Sequence, residues 1–211
     1  VDEYLAGRFH LWAITAAFGD NLIQKGRSLA KSAGLADSDA DKLSHLGEYL
    51  NYNGYGDSLQ DLHFHPAELY EAIKPYKNPL DFVANSSAFA KLAAGFKEDM
   101  GHANLLQSLS NDDHCAAYLL PNEPWARRVT GSFANKLANE YPNRAHAVIT
   151  PNHTGNFTVS VRASIANPQG ADVLCLQFDT GGGRKAAAGI NQLPPGSLDD
   201  FVARFKQHFC G

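Results

Sequence analysis

Cysteine is scarce in this sequence of 211 residues, and long apolar runs are missing. Cys115, Cys175 and Cys210 are an odd set without CxxC spacing, so the sequence predicts neither a zinc ribbon nor a disulfide framework. Such cysteine usage favours a reducing interior, and we expect a cytoplasmic protein. No apolar stretch approaches the roughly 20 residues of a membrane-spanning helix, so we predict no membrane partner.

A large excess of basic charge is also missing. The formal net charge is −4, which argues against broad, non-specific coating of nucleic acid. A local basic pocket is still compatible with the sequence, because several cations fall in the C-terminal half. These cations are Arg127, Arg128, Arg162, Arg184 and Lys185.

The most informative segment that is present reads TGGGRKAAAG. Its glycines, Gly181, Gly182 and Gly183, allow several backbone N–H groups to converge on one concave surface. Arg184 and Lys185 follow directly, and the next side chains are too small to obstruct a ligand. This combination is typical of a site that holds an anion such as phosphate. A flexible glycine-rich turn without a ligand is the alternative.

Two better-known glycine motifs do not fit this segment. A P-loop is excluded because Lys185 is followed by Ala186 and no glycine stands directly before the lysine. A dinucleotide-binding fingerprint fits loosely, but it requires a longer helix and a further strand after the glycines. The Pro-Pro-Gly triplet at residues 194–196 interrupts the chain too early for that unit.

The hydrophobic pattern changes its period near residue 112. The first ~100 residues have the spacing of amphipathic helices, including a capping box at Ser38 and Asp41. Later residues alternate as strands and helices, and Ser160, Arg162 and Ser164 should share one face of a strand. We therefore predict an α/β protein, in which a helical N-terminal segment precedes a small mixed-sheet α/β domain with helices packed on it. The expected later elements are strands at 116–120, 147–149, 156–164 and 186–193, and helices at 123–141 and from Ser197 onward. The pattern at 171–178 fits either a strand or a helix.

The glycine segment resembles the GG-H-x-x-A-A-G signature of the DHH-associated domain, the C-terminal domain of RecJ- and oligoribonuclease-like DHH phosphoesterases. Arg184 stands where that family most often has histidine. The strand ending at Arg162 resembles the family's Ser-x-Arg-Ser strand, with Ala163 inserted before Ser164. Near the start, AAFGDN is similar to the segment that supplies the last metal-ligand aspartate, here Asp20. A helix-capping role is the alternative for that residue.

This resemblance implies a division into two domains. Residues 1–110 would be the helical remainder of the catalytic domain with its connector, and residues 111–211 would be the substrate-binding domain. The family's Asp-x-Asp pair and Asp-His-His triplet are missing, and the residues Asp112-Asp113-His114 only echo the latter. The sequence also lacks an initiator methionine, so we expect the back half of a longer protein.

The resemblance further implies a metal-dependent phosphoesterase, with manganese or magnesium bound mainly by the missing half and by Asp20. The fragment alone is expected to be inactive. Single-stranded nucleic acid, an oligonucleotide, a nucleotide or polyphosphate would fit as substrate, and a homodimer is compatible with the sequence. A non-catalytic phosphate- or nucleotide-binding regulatory module is the alternative. The implied substrate-binding residues are Arg162, Ser164, Gly181, Gly182, Gly183, Arg184 and Lys185.

Two histidines form a second candidate metal pair, His63-x-His65. A proline follows them and no third ligand is near in sequence, so a structural or solvated role is favoured.

Overall fold

The computed structural model describes residues 2–210 of the chain. The chain forms two compact units that divide between Glu98 and Asp99. This division falls inside helix α6 (Ser87–Ala103). The assignment of a functional domain to each unit stays a prediction.

The first unit is helical. Pro66 and Pro79 each occupy the first position of a helix, as predicted, and the Asn78 side chain accepts a hydrogen bond from Leu80 N at 3.0 Å. The predicted capping box is wrong, because α3 already begins at Asp37. The helices are α1 (His10–Gly19), α2 (Ile23–Ser32), α3 (Asp37–Tyr52), α4 (Pro66–Ile73), α5 (Pro79–Asn85) and α6. A short 3-10 turn (Leu59–Asp61) lies between α3 and α4 in the chain.

A mixed six-stranded sheet forms the centre of the second unit, and it confirms the α/β class. Its strand order is β1-β2-β3-β4-β6-β5, in which only the β2–β3 pairing is parallel among the described strands. The strands are β1 (Ser110–Asn111), β2 (Cys115–Leu119), β3 (Ala145–Pro151), β4 (Phe157–Arg162), β5 (Gly181–Arg184) and β6 (Ala187–Leu193).

Three helices accompany this sheet: α7 (Pro124–Glu140), α8 (Ala171–Cys175) and α9 (Leu198–Phe209). Helix α7 connects the parallel strands β2 and β3, and a crossover of this kind is what parallel neighbours require. The segment 171–178, which the pattern left open between strand and helix, is helical only over α8. Helix α9 begins after Ser197, whose side chain makes no capping hydrogen bond.

The two faces of the sheet have different coverings. The core face carries buried side chains such as Ile149, Val161 and Ile190, which cluster with α8 and α9. The opposite face, here called the α7 face, packs against α7 through β3 and β4. A buried hydrogen bond of 2.9 Å between the hydroxyl groups of Thr130 and Thr150 joins α7 to β3.

Cys115 and Cys210 form a disulfide, so the prediction that no disulfide would occur is wrong. The bond joins the start of β2 to the end of α9, with the two Cα atoms 5.7 Å apart. It removes the sequence argument for a reducing compartment. Cys175 remains a buried thiol, and burial together with Asp172 raises its pKa to about 12.

Among residues 2–210, none of the helices combines the length and the apolar character that crossing a bilayer would require.

Reduction of the Cys115–Cys210 bond should destabilise the second unit. The bond spans 95 residues of chain, and a cross-link of that length lowers the entropy of the unfolded chain, worth about 4 kcal/mol of stability. Thermal unfolding with and without a phosphine reductant measures this effect. A Cys115→Ala/Cys210→Ala variant should be insensitive to the reductant, and an unchanged wild-type midpoint would contradict the prediction.

Candidate functional site

The register of β4, β6 and β5 places two rows of residues on the α7 face. The first row consists of Arg162, Ala187 and Arg184. The second row consists of Ser160, Gly189 and Gly182. Side chains of directly paired residues point to the same face of an antiparallel sheet. The two arginines therefore project from one face, about 10 Å apart at their Cα atoms, which is twice the spacing between strands.

A surface with almost no side chains lies between the two arginines. It consists of Gly182, Ala187 and Gly189, which we call the glycine floor, and all three residues are half-buried. A Cβ atom at Gly189 would meet the Val159 carbonyl oxygen at 2.7 Å, so the strands approach too closely there for another residue. The floor exposes backbone and one methyl group to an approaching ligand.

The glycine segment is a strand, β5, and not the loop that the sequence indicated. Its residues pair in register with β6. The predicted convergence of its N–H groups on one concave surface is therefore wrong. A ligand on this face would therefore depend on the arginine side chains for its charged contacts. Helix α8 ends at Cys175, six residues before the first glycine of β5.

The fold requires glycine at some positions of this segment but not at Gly182. A Cβ atom at Gly181 would overlap the Cys175 carbonyl group, and Gly183 has a φ of 141° with Ala188 Cα 2.5 Å from such an atom. A Cβ atom at Gly182 would have no neighbour within 4 Å in the part of the chain that the structure describes. The absence of a side chain at Gly182 therefore has no packing explanation, and it keeps the floor accessible.

Arg162 is held by hydrogen bonds from two directions. Its Nε donates to Asn135 Oδ1 at 2.9 Å, and its Nη1 donates to Ser160 Oγ at 2.9 Å and to the Val161 carbonyl oxygen at 3.2 Å. Arg184, in contrast, is an exposed side chain at the end of an edge strand. Arg162 is thus fixed against the sheet, whereas the Arg184 side chain is exposed to solvent.

Ser164 follows Arg162 by two residues, and Lys185 follows Arg184 directly. The Ser164 hydroxyl accepts a hydrogen bond from Asn167 N at 3.0 Å, which orders the loop after β4. Lys185 belongs to the turn between β5 and β6, with an exposed side chain, and its carbonyl oxygen accepts from Ala171 N at 3.0 Å. The structure thus brings Arg162, Arg184 and Lys185 to one end of the sheet. The Ser164 hydroxyl instead forms a hydrogen bond within the loop after β4.

Asp20 lies at the C-terminus of α1, in the first unit. The helix ends as Asn21 adopts a φ of 58° and Leu22 N donates to the Ala17 carbonyl oxygen at 2.9 Å. A carboxylate at the negative end of a helix dipole favours a bound cation. Asp20 also lines a cavity of about 270 Å³, whose other lining residues are Trp12, Thr15, Ala16, Gly19, Gly47, Leu50 and Asn51.

The described residues do not complete a metal site around Asp20. Residues 2–210 contain no group of three or more His, Cys, Asp and Glu side chains that could hold a metal ion. The other two predicted candidates have local partners: His63 Nε2 lies 2.6 Å from the Tyr52 hydroxyl, and His65 Nδ1 accepts from Ala67 N at the start of α4. Asp20 therefore belongs to no three-residue cluster of metal-ligand side chains within residues 2–210.

Sequence reasoning missed two residues beside Arg162, namely Asn135 on α7 and His146 on β3. His146 pairs with Arg162 across β3 and β4, is fully buried, and makes no side-chain hydrogen bond within residues 2–210. Burial and, to a lesser extent, the nearby Arg144 charge lower the pKa of His146 to about 4. His146 is therefore neutral at neutral pH and adds no charge beside Arg162.

The second unit should lose stability on acidification because of His146. Its folded pKa of about 4 lies below the unfolded value of 6.5, so the unfolded chain binds the proton more tightly. This contribution is fully present above pH 6.5 and is lost as the pH falls toward 4. Between pH 7 and pH 4.5, the wild type should lose about 2 kcal/mol more than His146→Leu in urea unfolding. Identical pH dependence of the two proteins would contradict this.

The sequence matches no protein-family profile and no curated protein sequence. Solved structures do share its fold. A DHH-domain protein described as a member of a family of ribosomal proteins aligns over 95% of this chain and 49% of its own, at 14% identity and a TM-score of 0.58.

Two RecJ structures align with this chain in the same way. RecJ of Thermus thermophilus, in complex with Mg²⁺, aligns over 95% of this chain and 29% of its own, at 17% identity and a TM-score of 0.53. An exonuclease RecJ bound to manganese aligns over 95% and 47%, at 18% identity and a TM-score of 0.54. The resemblance to DHH proteins is confirmed at the level of the fold. The present chain spans half or less of each of these relatives.

Proposed function

We propose that the second unit binds a phosphate group of the substrate of a metal-dependent phosphoesterase. The observation that carries this proposal is the shared face of Arg162 and Arg184, which flank the glycine floor. A phosphate above the floor would be reached by a guanidinium group from each side. The exposed Arg184 can bind phosphate oxygens in a bidentate manner, whereas Arg162, whose Nε and Nη1 already donate to protein oxygens, would contribute mainly its positive charge. Lys185, at the same end of the sheet, would add a third positive charge.

Such a site would contribute to catalysis by positioning. Hydrolysis of a phosphodiester or phosphoanhydride depends largely on orientation and on electrostatic stabilisation, so a fixed phosphate clamp aligns the scissile bond. The half-buried position of Arg162 strengthens its interaction with an anion, because water screens the charge less there than in open solvent. Nucleic-acid ends, oligonucleotides and related compounds are the substrates that this arrangement suits.

The relatives support a hydrolase as the intact protein. RecJ is named an exonuclease, and its structures contain Mg²⁺ or manganese. We propose that Asp20 is one ligand of a comparable divalent ion, whose further ligands come from outside these 211 residues. A divalent ion would supply a hydroxide nucleophile. Because the described residues do not complete that site, the role proposed for this chain is substrate binding.

A second candidate function is a non-catalytic regulatory module that binds phosphate or nucleotide on the same face. Arg184 favours this regulatory module, because it stands where the DHH-associated domains that the segment resembles most often have histidine. Histidine can lose its proton near neutral pH, whereas arginine keeps its charge and cannot exchange protons with a substrate. If the longer protein hydrolyses the substrate, it is an enzyme. If it binds phosphate or nucleotide without hydrolysing it, it is a regulatory module.

The site should prefer oligonucleotides that carry a terminal phosphate. Arginine at position 184 favours an oxyanion over a neutral hydroxyl group, so we expect about tenfold tighter binding of a phosphorylated oligonucleotide than of its unphosphorylated match, or about 1.4 kcal/mol. Arg184→His should narrow this difference. Fluorescence anisotropy at fixed salt concentration measures both affinities, and equal affinities for the two oligonucleotides would count against the site.

The Gly182→Ala variant should affect ligand binding without lowering the stability of the fold. An added methyl group meets no neighbour there, so stability should be unchanged or raised by up to about 1 kcal/mol. The same methyl group projects into the glycine floor, and binding of the phosphorylated oligonucleotide should weaken about tenfold. Thermal unfolding and anisotropy test the two halves of this prediction.

The matched control is Gly196→Ala, in the same unit, where an added Cβ likewise has no neighbour within 4 Å among the described residues. This variant should bind as the wild type does. Wild-type affinity in Gly182→Ala would show that no ligand approaches the floor at that point.

A further inference from the structure

We propose that Asn135, on α7, is the residue that positions Arg162 for phosphate binding. This inference rests on the proposed function, since it concerns the orientation of one arginine in that site. Asn135 is 27 residues away from Arg162 in sequence and lies on a different element, yet its Oδ1 accepts a hydrogen bond from Arg162 Nε at 2.9 Å. The contact crosses from the helix to the sheet.

Helix α7 has a fixed place over the sheet, which makes Asn135 a rigid support. The buried hydroxyl pair of Thr130 and Thr150 links the helix to β3, and the rings of Tyr118 and Phe133 pack edge to face with centroids 5.4 Å apart. These contacts flank the turn of α7 that leads to Asn135. Asn135 is itself half-buried, so solvent does not freely replace its contact with Arg162.

Two contacts at different nitrogen atoms define the plane of the Arg162 guanidinium group. Asn135 holds Nε from the helix side, and Ser160 holds Nη1 from the strand at 2.9 Å. An unsupported arginine has side-chain entropy that a ligand would have to reduce on binding. A guanidinium group that is ordered before the ligand arrives avoids much of that cost.

The neutrality of Asn135 matters as much as its position. An amide oxygen orients the guanidinium group without cancelling its positive charge. A carboxylate at the same place would keep the geometry through a charge-assisted hydrogen bond but would compete with phosphate for the charge. Asparagine therefore provides orientation at no electrostatic cost to anion binding.

The experiment compares Asn135→Leu, Asn135→Asp and Arg162→Gln in binding a phosphorylated single-stranded oligonucleotide over a range of salt concentrations. Each variant should weaken binding about tenfold. The slope of log Kd against log salt should fall by the amount that corresponds to the loss of about one phosphate contact. The double variant Asn135→Leu/Arg162→Gln should bind no more weakly than Arg162→Gln, because both changes remove one interaction. Asn135→Asp should keep the wild-type unfolding midpoint.

Asn139 supplies the matched control. It lies one turn further along α7 and is exposed, so Asn139→Leu and Asn139→Asp should keep the wild-type affinity and salt slope. A structural role alone would shift the unfolding midpoint of Asn135→Leu and leave the salt slope unchanged.

The outcomes separate the inference from the proposed function. If Arg162→Gln weakens binding while the Asn135 variants bind as the wild type does, the positioning role is wrong and the phosphate site stands. Additive losses in the double variant would also refute the positioning role. If the wild type and the Arg162→Gln and Arg184→Gln variants all bind equally, the proposed function fails, and the inference fails with it.

Discussion

The pairing of β6 with β4 on one side and β5 on the other is the constraint on which the site depends. This register alone places Arg162 and Arg184 on one face with small residues between them. A slip of one residue in either pairing would turn one arginine toward the hydrophobic core. The core side chains oppose such a slip, because Ala188 and Ile190 alternate with the floor residues and are buried with Val161.

Much of the second unit follows from local patterns in the sequence. The alternation in β4 predicted the face that carries Ser160 and Arg162, and the proline residues and the apolar spacing predicted α7 and the strands before and after it. Strand β5 could not be predicted in this way. Glycines have no side-chain alternation and low strand propensity, so Gly181–Arg184 becomes a strand only because β6 offers a partner edge.

The contacts that sequence reasoning missed all join distant positions. The disulfide closes 95 residues, Asn135 meets Arg162 from another element, and His146 becomes their neighbour through strand pairing. No spacing rule shows such pairs, because they depend on the tertiary arrangement. Asp20 was found through resemblance to a family, and its role as a metal ligand remains a proposal because residues 2–210 do not complete a site.

The central claim is that a phosphate group binds above the glycine floor between two arginines. A crystal structure of the chain with a terminally phosphorylated dinucleotide tests it most directly. The account predicts phosphate oxygens within hydrogen-bond distance of both Arg162 and Arg184, with the phosphate over Gly182. A phosphate located elsewhere on the chain, with neither arginine in contact, would contradict the account.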